Sequence, residues 1–200
     1  APHDLGANYL VGFLWATFLG ATIVAWPLPW RNRLLLLGAW GVRIGVMFGF
    51  MLYYEWNYPT LDAFGYHAAA QSPVFDWSAV GFGHGTENLN AFAWLHDRLL
   101  PGSYHAMKAT SALAGLIGTI LFYRAAVVAL GREHLPVLAV LLFTPSMLFW
   151  SSILGKDPLI LLGVGLYAYG IVAWQRRGSP RYLVPVLGGV RVAAGIRVWF

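Results

Sequence analysis

The sequence predicts an all-α protein, a polytopic membrane bundle of about six transmembrane helices with interfacial helices in one long outer loop. Three observations predict it. Of the 200 residues, 58% are hydrophobic and only 10% are charged, whereas a soluble domain carries about 25% charged residues. Apolar stretches recur at the length that crosses a bilayer, about 20 residues. Basic residues gather in alternate connections between those stretches.

The predicted spans form a single transmembrane domain over residues 1–200. They lie at about residues 5–26, 34–54, 106–130, 135–154, 158–174 and 182–200. The first has no positively charged start and is longer than a signal-peptide core, so we interpret it as a membrane span. The last runs to Phe200 inside an apolar segment, and we expect the sequence to be truncated at its C-terminus.

Charge orients the spans. The connections after the first, third and fifth spans carry the basic residues Arg31, Arg33, Arg124, Arg132, Arg176, Arg177 and Arg181. The other connections carry the acidic residues Glu55, Asp62, Asp76, Glu87, Asp97 and Asp157. Because cytoplasmic loops are enriched in Lys and Arg, the acidic side and the N-terminus are predicted to face outward. We expect an integral protein of the plasma membrane, the bacterial inner membrane.

Composition also excludes several classes of function. The net charge of +5 comes from scattered arginines, not from a basic face interleaved with aromatics, so no nucleic-acid partner is expected. The absence of cysteine excludes disulfides and thiolate metal sites. His84, His96 and His105 show no metal-ligand spacing such as HExxH.

The outer loop over residues 55–105 is far longer than a simple helix connection. Its segment "TLDAFGYHAAAQ" has Leu61, Phe64 and Ala68 at helical spacing, and "NLNAFAWLHDRLL" has Leu89, Phe92, Leu95 and Leu99. Such stripes are typical of helices in the membrane interface or against the bundle. Between them, "GFGHGTEN" lacks the preceding strand and following lysine of a phosphate loop, so we assign it no nucleotide role.

Charged residues inside or beside the spans need a reason, because ionisable groups at membrane depth are costly. Arg43 lies near the middle of the second span, where a structural role is favoured over ligand binding. Arg197 is predicted to emerge at the outer surface, where it would meet an anionic headgroup.

The segment "GKDP" places Lys156 and Asp157 in the short second outer loop. In one interpretation Asp157 caps the fifth helix and Pro158 occupies its first turn. In the other, Asp157 and Asp62 are carboxylates of a site, acting as a base or holding a divalent cation on a diphosphate. Tyr66 and His67 follow Asp62 closely. His67 titrates near neutrality, although a lone histidine is more often incidental.

Two of these segments resemble a known family. A long first outer loop with "D-x-x-x-Y", followed by a second outer loop after "P-S-x-x-F-W-S-S", is similar to the GT-C class of membrane glycosyltransferases. The resemblance implies sugar transfer from a polyprenyl-phosphate donor on the extracytoplasmic face, with Asp62 as the principal carboxylate and Asp157 as the second. The chain departs from that class in having an extra span before the long loop and a much shorter length.

Two functions follow as hypotheses. As an enzyme, the protein would use Asp62 and Asp157 in catalysis and would bind substrate through Tyr66, His67, Lys156 and Arg197. Its partners would be membrane lipids and a polyprenyl-phosphate-linked sugar. No cofactor is assigned, and a divalent cation is compatible with the carboxylates. The alternative is a non-catalytic subunit that packs against other membrane subunits. A transporter is a weaker third hypothesis, since no run of intramembrane acids or inverted repeat is visible. The enzyme hypothesis requires Asp62, Asp157 and Arg197 to converge on one cavity.

Overall fold

The computed structural model describes residues 3–197, and every regular element in that range is helical. Its α-helices are α1 (Tyr9–Thr22), α2 (Trp30–Gly45), α3 (Met51–Asn57), α4 (Asp62–Ala70), α5 (Gly85–Leu99), α6 (Tyr104–Leu130), α7 (Leu135–Phe143), α8 (Pro145–Trp150), α9 (Lys156–Arg177) and α10 (Leu183–Ile196). A π-helical turn, Val46–Phe50, joins α2 to α3 without interrupting the rod.

Three helical rods are long and apolar enough to cross a membrane: Trp30–Asn57, Tyr104–Leu130 and Lys156–Arg177. They confirm the prediction of an all-helical protein with helices of membrane-spanning length. A fourth apolar helix, Tyr9–Ala25, is shorter.

The boundaries differ from the sequence prediction at the fourth span. Residues 135–154 form two short helices, α7 and α8, that meet at Thr144. Thr144 has φ −59° and ψ 119°, outside the helical region. The cause is Pro145, which has no N–H to donate and disfavours helical geometry in the residue before it. The final positions of the sixth predicted span, residues 198–200, lie outside the described residues.

The two outer-loop helices form where the sequence predicts, but their buried faces are offset. In α5, Leu89, Ala93 and His96 are buried, while Leu95 and Leu99 are exposed at 40% and 75%. In α4 the buried residues are Tyr66, His67 and Ala70 rather than the Leu61, Phe64 and Ala68 stripe. The small residues and histidines permit close packing against the bundle together with Leu89, while Leu95 and Leu99 of α5 turn outward.

Close glycine contacts hold α9 against α6. A Cβ atom on Gly118 would lie 2.5 Å from the carbonyl oxygen of Leu161, and one on Gly165 would lie 2.3 Å from the carbonyl oxygen of Gly118. Real Cβ atoms do not approach backbone oxygens so closely, so these helices meet backbone to backbone. On its other side α9 meets α10 in the same way at Gly163 and Gly189.

Polar contacts define two ends of the bundle. At one end, Glu133 accepts hydrogen bonds from Asn32 at 2.8 Å and Tyr123 at 2.5 Å, and Arg176 donates to the carbonyl of Ala129 at 3.0 Å. At the other, the phenol of Tyr104 donates to Glu55 at 2.7 Å. The basic connections therefore share one end, and the candidate site lies at the opposite end.

We expect Gly118→Ala to destabilise the protein by about 1–3 kcal/mol, because the new methyl group collides with the Leu161 backbone. Thermal unfolding in detergent micelles measures the effect. Gly41→Ala is the matched control, since its Cβ meets nothing within 4 Å and alanine is the better helix former. Equal melting temperatures for the two variants would contradict the packing described here.

Candidate functional site

Five of the residues singled out in the sequence line one cavity of about 340 Å³. They are Asp62, Tyr66, Lys156, Asp157 and Arg197. The cavity lies where three elements meet: the start of α4, the start of α9 and the residue that follows α10. These elements are far apart in the sequence, so their convergence is a property of the fold.

The outer loop supplies Asp62 and Tyr66. Leu61 has an extended backbone, and α4 begins at Asp62, which places its carboxylate in the first helical turn. Tyr66 follows four residues later and so lies on the same helix face. Burial, together with the negative charge of Asp62, raises the pKa of the Tyr66 phenol, and the Thr86 hydroxyl partly offsets the rise. Tyr66 therefore remains protonated at neutral pH and can donate a hydrogen bond.

The start of α9 supplies Lys156 and Asp157. Gly155 occupies the cap position with an extended backbone, φ −173° and ψ −175°. Asp157 is therefore a first-turn residue and not the helix cap, although Pro158 does lie in the first turn as expected. A carboxylate in the first turn is favoured by the helix dipole. This position leaves the Asp157 side chain available to the cavity.

The two cations of the cavity are only loosely engaged. Arg197 Nη2 lies 3.9 Å from Asp157 Oδ1, and both side chains are more than two-fifths exposed. A long, exposed ion pair contributes little to stability. Lys156 Nζ donates to the Thr86 hydroxyl at 3.0 Å, a neutral partner. Both groups therefore keep N–H donors for an anionic ligand, with which they form stronger, charge-assisted hydrogen bonds.

A buried ion pair forms the inner wall of the cavity. Glu55 also lines it, and its carboxylate accepts a hydrogen bond from Lys108 Nζ at 2.8 Å and one from the Tyr104 phenol at 2.7 Å. The side chains of Lys108 and Glu55 are 0% and 2% exposed. Neither residue stands out as a site residue from the sequence alone. The signal was present, since a lysine inside an apolar span requires a partner.

Arg43 has the structural role that the sequence favoured. Its fully buried guanidinium donates to the hydroxyl of Ser151 and, at 3.5 Å, to that of Ser152. Those hydroxyls in turn donate to the carbonyls of Met147 and Leu148 in α8, each at 2.5 Å. Arg43 thus ties α2 to the turn that leads into Lys156 and Asp157.

His67 lies apart from the other five residues. It is buried and lines a separate cavity of about 300 Å³ with Asp4, Asn8 and Gln71. Its Nε2 atom is 3.4 Å from the Gln71 amide nitrogen. Burial lowers the pKa of the imidazole, so His67 is neutral at physiological pH. The structure gives it no contact with the cavity of Asp62.

Among residues 3–197, no group of three or more His, Asp and Glu side chains is arranged to hold a metal ion. Asp62 and Asp157 nevertheless line the same cavity. A divalent cation there would have to complete its coordination with ligand oxygens and water, as Mg²⁺ commonly does with phosphates.

Removing one partner of the buried ion pair should be far more damaging than removing both. We expect Lys108→Met to cost about 3–5 kcal/mol, because the Glu55 carboxylate would remain buried with its charge uncompensated. Adding Glu55→Gln should restore most of that loss, since an amide oxygen still accepts from Tyr104. Thermal unfolding of the single and double variants measures the coupling. If the stability loss of the double variant equalled the sum of the losses of the two single variants, the coupling between Lys108 and Glu55 would be contradicted.

Comparison with known proteins gives no independent guide to the activity. No family model, curated protein sequence or solved structure matches the chain. The features that bear on function are those of the cavity: three carboxylates, two loosely engaged cations and a buried phenol at one end of a helical bundle.

Proposed function

We propose that this protein is a membrane glycosyltransferase of GT-C type, which transfers a sugar from a polyprenyl-phosphate donor on the extracytoplasmic face. One observation carries the proposal: Asp62, Tyr66, Lys156, Asp157 and Arg197 line a single cavity. Had these side chains pointed to separate environments, the chemistry would have had no common site.

The cations suit the donor phosphate. Lys156 supplies a compact point charge, while Arg197 offers a planar fork that can bind two phosphate oxygens. Both stand at the end of the bundle opposite the basic connections. During transfer, the bond between the sugar C1 atom and the phosphate oxygen breaks and that oxygen keeps the electron pair. Lys156 and Arg197 stabilise the negative charge that develops there.

The carboxylates suit the acceptor. Asp62 acts as a general base. It takes the proton from the acceptor hydroxyl as the hydroxyl oxygen forms the new bond to the sugar C1 atom. Asp157, 3.9 Å from Arg197, holds that guanidinium beside the phosphate. Tyr66 stays protonated and donates to a sugar or phosphate oxygen. His67 has no part in this arrangement because it lines another cavity.

The proposal includes six membrane crossings, an outward N-terminus and a plasma-membrane location, as in bacterial inner membranes. The distribution of charged residues between the two ends of the helical bundle supports it. Arg31, Arg132 and Arg177 lie in or beside the connections at one end, whereas Asp62 and Asp157 lie at the other. Three helices have spanning length. The remaining segments, α1, α7–α8 and α10, run between the same two ends.

Exposed aromatic residues favour a second candidate function, a non-catalytic membrane subunit. Tyr53, Trp56 and Tyr58 follow one another at the outer end of α3 with exposures of 72%, 64% and 53%. Aromatic side chains of this kind are enriched at protein interfaces, and also at the membrane–water boundary. The two functions differ in whether the Asp62 carboxylate is needed.

The topology is testable by single-cysteine labelling, because the sequence contains no cysteine. We expect Val74→Cys, at an exposed site in the outer loop, to react with an impermeant maleimide added to intact cells. Gln175→Cys, exposed near the basic end of α9, should react only after the cells are opened. Labelling of both positions in intact cells would contradict the proposed orientation.

Asp62→Asn should abolish transfer while leaving the amount of protein in the membrane unchanged. The amide preserves side-chain size but cannot act as the base. The measurement is release of polyprenyl phosphate from a panel of polyprenyl-phosphate sugars by membranes containing the full-length protein. Asp76→Asn is the control, since the Asp76 side chain bonds only its neighbour Ser78 and does not line the cavity.

Undiminished release by Asp62→Asn would reject Asp62 as the base. If the wild-type protein releases no polyprenyl phosphate from any donor and copurifies with another membrane protein, the subunit function replaces the enzyme.

A further inference from the structure

The glycine-rich stretch of the outer loop lies against the last turn of α10. The backbone N–H of Gly83 donates to the carbonyl of Ala194 at 2.9 Å. The side-chain amide of Asn88 donates to the carbonyl of Gly195 at 2.5 Å. These carbonyls belong to the final residues of a helix, which have no partners within it. Residues 81–88, here called the clamp segment, therefore cap α10 just before Arg197.

Asn88 holds the clamp segment together while it holds α10. Its Oδ1 atom accepts from the Gly81 N–H at 3.2 Å, and its Nδ2 atom donates to the Gly81 carbonyl at 2.6 Å. With the bond to Gly195, one side chain makes three hydrogen bonds. The loop and the helix end are consequently fixed relative to each other and not merely adjacent.

Two glycines make the approach feasible. Gly83 has φ 78°, a left-handed conformation that side chains with a Cβ rarely adopt. A Cβ on Gly85 would lie 2.2 Å from the carbonyl oxygen of Ile196, the residue before Arg197. Any other residue at position 85 would push the end of α10 away. Close packing against α10 thus explains the glycines at positions 83 and 85 of "GFGHG" without a bound nucleotide.

The same segment also reaches the other cation of the cavity. Thr86, directly after Gly85, accepts the hydrogen bond from Lys156 Nζ at 3.0 Å. Lys156 begins α9, whereas Arg197 follows α10. The clamp segment therefore contacts Lys156 and the three residues before Arg197 within six positions of its own sequence, from Gly83 to Asn88.

We propose that the clamp segment is a positioning element, which sets the separation of Lys156 and Arg197 so that both can bind one lipid-linked phosphate group. The choice of ligand rests on the function proposed above, whereas the mechanical coupling does not. Thr86 and Asn88 act through the two cations and are not themselves catalytic. By thermodynamic reciprocity, a ligand that bridges the cations must also stabilise the clamp segment.

Thr86→Val and Thr86→Ser form the central comparison. Valine keeps the shape of threonine but cannot accept the Lys156 hydrogen bond, whereas serine keeps the hydroxyl. We expect Thr86→Val to weaken binding of polyprenyl phosphate to the full-length protein in nanodiscs by about threefold to tenfold. Thr86→Ser should bind within about twofold of wild type, a difference smaller than one hydrogen bond. Thr17→Val, at an exposed position of α1, is the matched control and should bind like wild type.

Hydrogen exchange supplies a readout that needs no ligand. The amide of Gly83, bonded to Ala194, should exchange faster in Thr86→Val than in Thr86→Ser, because the clamp segment has lost its contact with α9. Gly85→Ala provides a second, steric disruption of the same clamp. It should also weaken polyprenyl-phosphate binding and accelerate exchange.

The outcomes separate the two proposals. Unchanged exchange and unchanged affinity in both Thr86→Val and Gly85→Ala would overturn the clamp. Altered exchange, with no binding of polyprenyl phosphate by wild type, would support the mechanical coupling and reject the proposed function. Inorganic phosphate binding as tightly as polyprenyl phosphate would overturn the assignment of the cation pair to a lipid-linked group.

Discussion

The buried pair of Glu55 and Lys108 is the constraint on which the site depends. An ammonium and a carboxylate can remain charged inside a helical bundle only if each satisfies the other, and the Tyr104 phenol completes the carboxylate's hydrogen bonding. The pair joins the end of α3 to the first turns of α6. Because α4 follows α3 after a short connection, the same contact fixes where Asp62 and Tyr66 enter the cavity. The pair also keeps the Glu55 charge compensated, whereas the other two carboxylates of the cavity, Asp62 and Asp157, are not committed to a buried cation.

A second set of polar contacts supports the opposite wall of the cavity. The short helix α8 ends at Trp150, and the hydroxyls of Ser151 and Ser152 donate to the carbonyls of Met147 and Leu148 near its C-terminal end. Arg43 then holds those hydroxyls from α2. The two serines and the arginine therefore act as one unit. It fixes the turn that leads into Lys156 and Asp157, which line the cavity together with Asp62 at the start of α4.

Much of the fold follows from composition and hydrophobic length, because apolar runs of membrane-spanning length favour few structures other than helices. The grouping of Asp62, Tyr66, Lys156, Asp157 and Arg197 was also foreseeable, since charge patterning assigned them to the same side. What the sequence could not provide was lateral placement. His67 is one position from Tyr66, yet a helix turns by about 100° per residue and carries it to a different cavity. The partnership of Glu55 with Lys108 and that of Asn88 with Gly195 join residues 53 and 107 positions apart, and no local pattern encodes such pairings.

The backbone contact between Gly118 and Gly165 has a consequence for the position of the site along the bundle axis. Where side chains interlock, two helices can slide by a fraction of a turn as rotamers adjust, but backbones in direct contact at glycine leave no such compliance. The vertical register of α9 is thereby fixed. Gly165 lies nine residues beyond Lys156, roughly 14 Å along the helix axis. This glycine contact, near the middle of the bundle, thus fixes how far along the bundle axis the Lys156 ammonium stands from the Gly118 backbone.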